Sequence, residues 1–179
     1  PPFSSLGAAF LRFVRRRLRG KQTLKDALAS STNTITINGS VAGDSIVAPT
    51  GVAVDLDGSS YITLNNLYIE SQGTSSTYSI WMHNAAHHID ITNNTVVGSP
   101  TATSFTTGVI VATETNSSTT SYGDNVSNVT ITGNTVIGGY VGVQINGTSI
   151  LVHNDDVTIS NNTFMDQSNY GIRVYYMNN

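Results

Sequence analysis

The residue types suited to chemistry are few in this sequence, and their spacing is loose. Arg173 stands in "GIRV", with Asp155, Asp156 and Asp166 in the segments before it. On its own terms a lone Arg of this kind reads as a solvated or ion-paired surface cation. Asp156 immediately precedes the strand-like phrase "VTISNNT", in the slot taken by His88 and Asn128 in similar phrases, and reads as a turn residue. His83, His87, His88 and Asp90 gather around Trp81 in "SIWMHNAAHHIDI". A metal would need converging imidazoles, whereas the adjacent His87 and His88 should point apart at a strand start, so no metal site is assigned. The Trp81 ring could stack on a sugar face, or it could be a partly covered surface aromatic. Phosphate-binding glycine loops and nucleophile elbows are missing, and no cysteine offers a thiolate.

What must position these groups is a repeat. "HIDITNNTVVGS" (88–99), "NVTITGNTVIGG" (128–139) and "DVTISNNTFMDQ" (156–167) share one template, apolar-x-apolar-x-x-Asn-x-apolar. Spacing of two puts Ile89/Ile91, Val129/Ile131 and Val157/Ile159 on one face of a short strand. An earlier copy, "YITLNNLYI", supplies Ile62, Leu64 and Ile69 but has Leu67 in the Asn slot. These strands start at Ile62, Ile89, Val129 and Val157, intervals of 27, 40 and 28 residues. Two short strands plus turns fit that period, and a helical solenoid does not.

Each unit carries a second strand: "GVAV", "SIWM", "GVIV", "GVQI" and "GIRV". Alternation sends Val52/Val54, Ile80/Met82, Val109/Val111, Val143/Ile145 and Ile172/Val174 inward. It leaves Ala53, Trp81, Ile110, Gln144 and Arg173 as the outward column. "SPTATSFTT" and "TETNSSTTSYGDNVS" read as loops thrown out from the stack. The expected fold is all-β, a parallel β-helix solenoid with right-handed crossovers and rungs about 4.8 Å apart. Asn94, Asn134 and Asn162 fall at one corner as a structural ladder, where Asn tolerates a left-handed backbone and bonds its neighbours above and below.

Residues 1–21 form a basic segment of different character, and residues 22–179 form the solenoid domain. Leu6, Phe10, Phe13, Val14 and Leu18 lie near one helical stripe, which predicts a capping helix over the open first coil. Seven of the eight Lys and Arg residues precede residue 26. Beyond that point Arg173 alone opposes 11 acidic residues, and a body at −10 would repel nucleic acid. No apolar run is long enough to predict a membrane span. A chain that opens at Pro1 and stops inside a repeat at "YYMNN" is expected to be a piece of a longer protein.

Over residues 22–179 the sequence resembles the right-handed parallel β-helix superfamily, the fold of pectate lyases and their relatives. "TLKDALASSTNTITINGSVAGDSIVAPTG" resembles the short helix and first coil that open many such domains. The resemblance implies a secreted or cell-surface domain that binds, and in the enzymes cleaves, a polysaccharide by lyase or hydrolase chemistry. Trp81, Gln144 and Arg173 are then the candidate substrate-binding residues. In pectate lyases calcium on acidic residues acts with a basic residue that removes a proton, which makes Arg173 the candidate base. "HNDD" resembles the paired carboxylates of polygalacturonase-type hydrolases through Asp155 and Asp156, but the Gly-His-Gly and Arg-Ile-Lys elements of that family are missing here. The alternative expectation is a non-catalytic structural or adhesive module of a larger surface protein, consistent with low charge and abundant Thr, Ser and Asn.

Overall fold

The computed structural model describes residues 9–13, 17–25, 29–39, 44–115, 126–147 and 155–177. The chain winds as a parallel β-solenoid. Its first turn holds β1 (Ala9–Phe13), β2 (Arg17–Arg19) and β3 (Gln22–Lys25). The second holds β4 (Ile35–Gly39), β5 (Ser45–Ala48) and β6 (Val54–Asp57), and the third β7 (Ser60–Asn65), β8 (Tyr68–Ser71) and β9 (Thr77–His83). The fourth holds β10 (His87–Thr92), β11 (Thr95–Val97) and β12 (Thr107–Ala112). The fifth holds β13 (Ser127–Thr132), β14 (Thr135–Ile137) and β15 (Val141–Asn146). The sixth holds β16 (Asp155–Ser160), β17 (Thr163–Met165) and β18 (Tyr170–Tyr175).

Like strands stack into three parallel sheets of six strands each among the described residues. Sheet A is β1-β4-β7-β10-β13-β16, sheet B is β2-β5-β8-β11-β14-β17, and sheet C is β3-β6-β9-β12-β15-β18. Two strands per turn were expected; the third is the short strand after the Asn corner. It aligns Leu18, Ile46, Ile69, Val96, Val136 and Phe164 in one column.

On sheet A the column Ile35, Ile62, Ile89, Val129, Val157 runs beside Ile37, Leu64, Ile91, Ile131, Ile159. These are the strand positions that the repeat template marks. Ile62, Leu64, Ile89, Ile91, Val129 and Ile131 are all inaccessible to solvent. Each such side chain contributes roughly 1.5 to 3 kcal/mol of burial, against which the entropy of ordering the chain is set.

Sheet C departs from the expected alternation by one residue in β12, and in β6 its inward pair starts at Val54 instead of Val52. Its inward columns are Val54, Ile80, Ile110, Val143, Ile172 and Leu56, Met82, Ala112, Ile145, Val174. Ile110 and Ala112 therefore hold the inward columns; Val109 packs in the same main core beside them, Val111 turns to the outer cluster, and Leu56 replaces Val52. The physical reason is that β9, β12 and β15 are buried on both faces. A run such as "GVIV" with two apolar faces carries no alternation to fix its phase.

The corner is an asparagine ladder. Asn94 donates from its backbone N–H (2.9 Å) and its Nδ2 (3.1 Å) to Oδ1 of Asn134. Asn134 repeats the pattern to Oδ1 of Asn162 at 2.9 and 3.0 Å. At the other end Oδ1 of Asn94 accepts from the Leu67 N–H at 2.9 Å, so the degenerate copy terminates the ladder. The left-handed backbone belongs to the residue before each rung, Asn66, Asn93, Gly133 and Asn161, with φ of 55°, 55°, 69° and 54°. Asn is thus kept at the rung for its side-chain amide and before the rung for its tolerance of positive φ.

The capping helix expected within residues 1–21 is not found among the described residues. Ala9–Phe13 and Arg17–Arg19 are strands, pairing in parallel with β4 and β5. Residues 1–8 and 14–16 lie outside the described residues. Ala9 and Leu11 continue the columns of Ile35 and Ile37 in register, so a strand pattern competes with the helical stripe over the same segment. An available sheet edge satisfies the backbone of such a segment and decides the contest. Among the described residues no helix is long and apolar enough to cross a membrane.

Candidate functional site

Register places Asp55, Trp81, Val111, Gln144 and Arg173 in one column on the outer side of sheet C. The three residues expected to bind substrate therefore do share a face, while Ala53 and Ile110 drop out of it. That face is covered: Trp81 is 9% exposed, and Val111 and Gln144 are inaccessible. The indole Nε1 of Trp81 donates to the Thr113 carbonyl at 2.9 Å. Its ring stacks on His83 at 3.7 Å and meets Tyr78 edge-on at 6.3 Å. With Val52 and Val111, these two aromatics make a second apolar cluster outside the main core. One face of Trp81 is stacked on His83, its polar edge is bonded and the ring is 9% exposed, which leaves little open ring surface for sugar stacking.

Gln144 donates through Nε2 to Asn146 Oδ1, and its Oε1 is buried without a hydrogen bond. Arg173 is half-buried among aromatic rings, its guanidinium carbon 4.7 Å from the Phe105 centroid and 4.6 Å from that of Tyr175. Its Nε and Nη2 donate to the Tyr175 hydroxyl at 3.0 and 2.6 Å. Cation–π packing of this kind fixes a guanidinium. Asp155 and Asp156 lie exposed on β16 of sheet A, on a different wall of the coil from Arg173 on sheet C. Asp156 has φ 51°, the backbone of a turn residue.

A buried ionic centre sits beside Trp81 that sequence reading did not find. Asp55, 3% exposed, accepts from His83 Nε2 at 2.7 Å and pairs with Lys21 Nζ through its other oxygen. His83 Nδ1 lies 4.0 Å from Asp57 Oδ1. Burial alone would raise the Asp55 pKa; the hydrogen bonds from His83 and Lys21, with their charges, outweigh it and hold the carboxyl below its usual value. The signal was available in the period, because 28 residues separate Asp55 from His83, one turn of the coil. Lys21 comes from the turn below, so the centre ties the first turn to the second and third.

An accessible polar concave site lies on the outer face of sheet A. It is a cleft of about 330 Å³ lined by Thr34, Tyr61, Thr63, His88, Asp90, Asn128, Thr130 and Asp156. Tyr61, His88, Asn128 and Asp156 have φ of 55°, 53°, 52° and 51°, one residue after the start of each strand. Each lies between paired neighbours and opposite its counterpart on the next rung, as His88 between the pairs Ser60–His87 and Ile62–Ile89, so the same left-handed kink is stacked on four successive rungs. The stacked kinks set these side chains in a row beside Thr63, Asp90 and Thr130. Tyr61 and His88 stack at 4.4 Å with an interplanar angle of 23°. Asp156 was read from sequence as a turn residue in the slot of His88 and Asn128, and the stacking of that slot into a cleft wall was missed.

Among the described residues no three His, Cys, Asp or Glu side chains are grouped to hold a metal ion. Comparison with protein-family models, with curated proteins and with solved structures finds no match to this chain.

Proposed function

We propose that this solenoid binds a neutral or weakly charged glycan along the outer face of sheet A, as part of an extracellular or cell-surface protein. The observation that carries the reading is the stacked row of Tyr61, His88, Asn128 and Asp156, all at positive φ, flanking Thr63, Asp90 and Thr130 in one cleft. It offers hydrogen-bonding groups at intervals of about 4.8 Å, with an aromatic pair at one end, a layout suited to an extended polymer of hydroxylated rings. A polyanion fits poorly, since the cleft carries Asp90 and Asp156 and the body beyond residue 25 is strongly acidic. The right-handed winding and the kinship with pectate lyase-like solenoids that the repeat suggests belong to this same proposal.

The reading is binding rather than cleavage. Asp90 and Asp156 stand on β10 and β16, two rungs apart, or roughly 10 Å along the axis before any sideways offset. Paired carboxylates in glycoside hydrolysis stand about 5 to 9.5 Å apart. A non-catalytic structural or adhesive module is the second reading, favoured by the separation of Arg173 from Asp155 and Asp156 onto different sheets.

A glycan array followed by calorimetry on the best neutral polymer tests the proposal. Tyr61→Ala is expected to weaken binding about tenfold, the size of one lost ring contact. No binding to any glycan, with the fold intact, would leave the structural reading in its place.

A further inference from the structure

We infer that the glycan held on the outer face of sheet A is a polymer of amino sugars, its ammonium groups meeting Asp90 and Asp156 as the chain runs along the coil axis. The inference rests on the glycan reading above and adds the class of sugar. Thr34, Tyr61, His88, Asn128 and Asp156 come from five successive turns, so the cleft they line is long across the strands rather than along them. A β-1,4-linked chain advances by close to one rung per ring, with rungs about 4.8 Å apart. Each turn can therefore meet one ring.

The carboxylates of this cleft have no partners of their own. Asp90 and Asp156 are exposed, and among the described residues neither has a hydrogen bond or an ion pair. In register Asp90 stands between Thr63 and Thr130, whose hydroxyls bring no charge to offset it. No Lys or Arg is among the residues that line the cleft. Beyond Lys25 the sequence has one basic residue, Arg173, and it lies on sheet C with its Nε and Nη2 on the Tyr175 hydroxyl. His88 is the one lining group that can become positive, and two carboxylates outweigh it even in its protonated form.

These unpaired charges discriminate between sugars. A neutral ring laid over Asp90 or Asp156 strips water from a charge and returns only hydroxyl contacts. An ammonium in the same place gives a charge-assisted hydrogen bond. With an amine on every ring, one falls within reach of each carboxylate whatever the register of the chain on the row. Sugar amines titrate near neutrality, which keeps such a polymer weakly charged. Its rings retain the contacts to Tyr61 and the polar row that a neutral chain would make.

The test is calorimetry on the full chain with two soluble probes of equal length, a β-1,4-linked N-acetylglucosamine oligomer and the corresponding glucosamine oligomer, at a pH just below neutral. Both are expected to bind, the glucosamine oligomer about five- to tenfold tighter at low ionic strength, with the gain lost in high salt. Asp90→Asn/Asp156→Asn keeps the shape of both side chains, and Asn accepts the positive φ that Asp156 adopts. In that variant the difference between the two oligomers is expected to vanish, and circular dichroism checks that the strands remain. Oligolysine of similar charge, which has no ring to stack on Tyr61, is expected to bind about tenfold more weakly than the glucosamine oligomer. Equal affinity for the two oligomers, or no binding of either while another glycan on the array binds, would overturn this inference and leave the glycan reading standing. No binding here and none on the array would overturn both. Oligolysine held as tightly as the glucosamine oligomer, or a gain that survives in the double variant, would also overturn it, since the attraction would then belong to the acidic body as a whole.

Discussion

Asn134 holds Asn94 with a single oxygen: its Oδ1 accepts both the Asn94 backbone N–H and the Asn94 side-chain amide, at 2.9 and 3.1 Å. Its own Nδ2 meanwhile reaches the Ile91 carbonyl at 2.8 Å. Replacing it with Leu takes the acceptor from the buried Asn94 N–H and a donor from the Ile91 carbonyl, both on the preceding turn. Asn134→Leu is expected to cost about 3 kcal/mol in urea unfolding, and Asn162→Leu, at a half-buried rung, less. Equal and negligible losses at both positions would mean that the ladder is not a stabilising element.

The ionic centre predicts a pH dependence with a definite sign. Asp55 has a folded pKa below its ordinary value of 3.8. Its contribution to stability is therefore complete above the unfolded pKa and disappears as pH falls through the folded one. The melting temperature of the wild-type chain should drop through this acid window. Asp55→Asn should melt lower at neutral pH and show a shallower acid limb. Parallel melting curves for the two proteins at all pH values would contradict the assignment.

Gly39 tests the close packing of consecutive turns. A Cβ there would lie 1.9 Å from the Asn66 carbonyl oxygen, a backbone atom that cannot rotate away. Gly39→Ala is expected to lose about 2 to 3 kcal/mol by forcing the second and third turns apart. A loss within about 0.5 kcal/mol would place these turns farther apart than described.

How much of this was legible in sequence depended on whether a strand had one buried face or two. Ile89/Ile91 and Val129/Ile131 alternate with polar residues, so their inward phase and the stack of sheet A could be read directly. Val109, Ile110 and Val111 are all buried, and no pattern in "GVIV" reveals which of them faces the axis. For the same reason Trp81 and Gln144 were placed in an outward column, which is where register puts them, without any sign that the column is covered. The Asp55–His83 pair and the row of Tyr61, His88, Asn128 and Asp156 are relations between turns, visible in sequence only after residues one period apart are set side by side. The first turn was lost because Leu11 and Phe13 suit a strand as well as a helix.

Trp81 is the chain's one tryptophan, so its fluorescence reports on this covered face alone. Stacked on His83 and 9% exposed, it should emit at short wavelength and resist quenching by acrylamide until the coil unfolds. Addition of a bound glycan should leave its emission unchanged, in contrast to the effect of Tyr61→Ala on affinity. Red-shifted emission quenched in the native state would restore Trp81 as an accessible platform.

The stacking of equivalent residues is tested most directly by methyl NOEs in protein labelled at Ile, Leu and Val. The account predicts one unbroken chain of contacts, Val54 to Ile80 to Ile110 to Val143 to Ile172, with neighbours about 5 Å apart along a parallel sheet. A chain routed through Val109 in place of Ile110 would contradict the register, and contacts that skip between these residues or run antiparallel would contradict the solenoid itself.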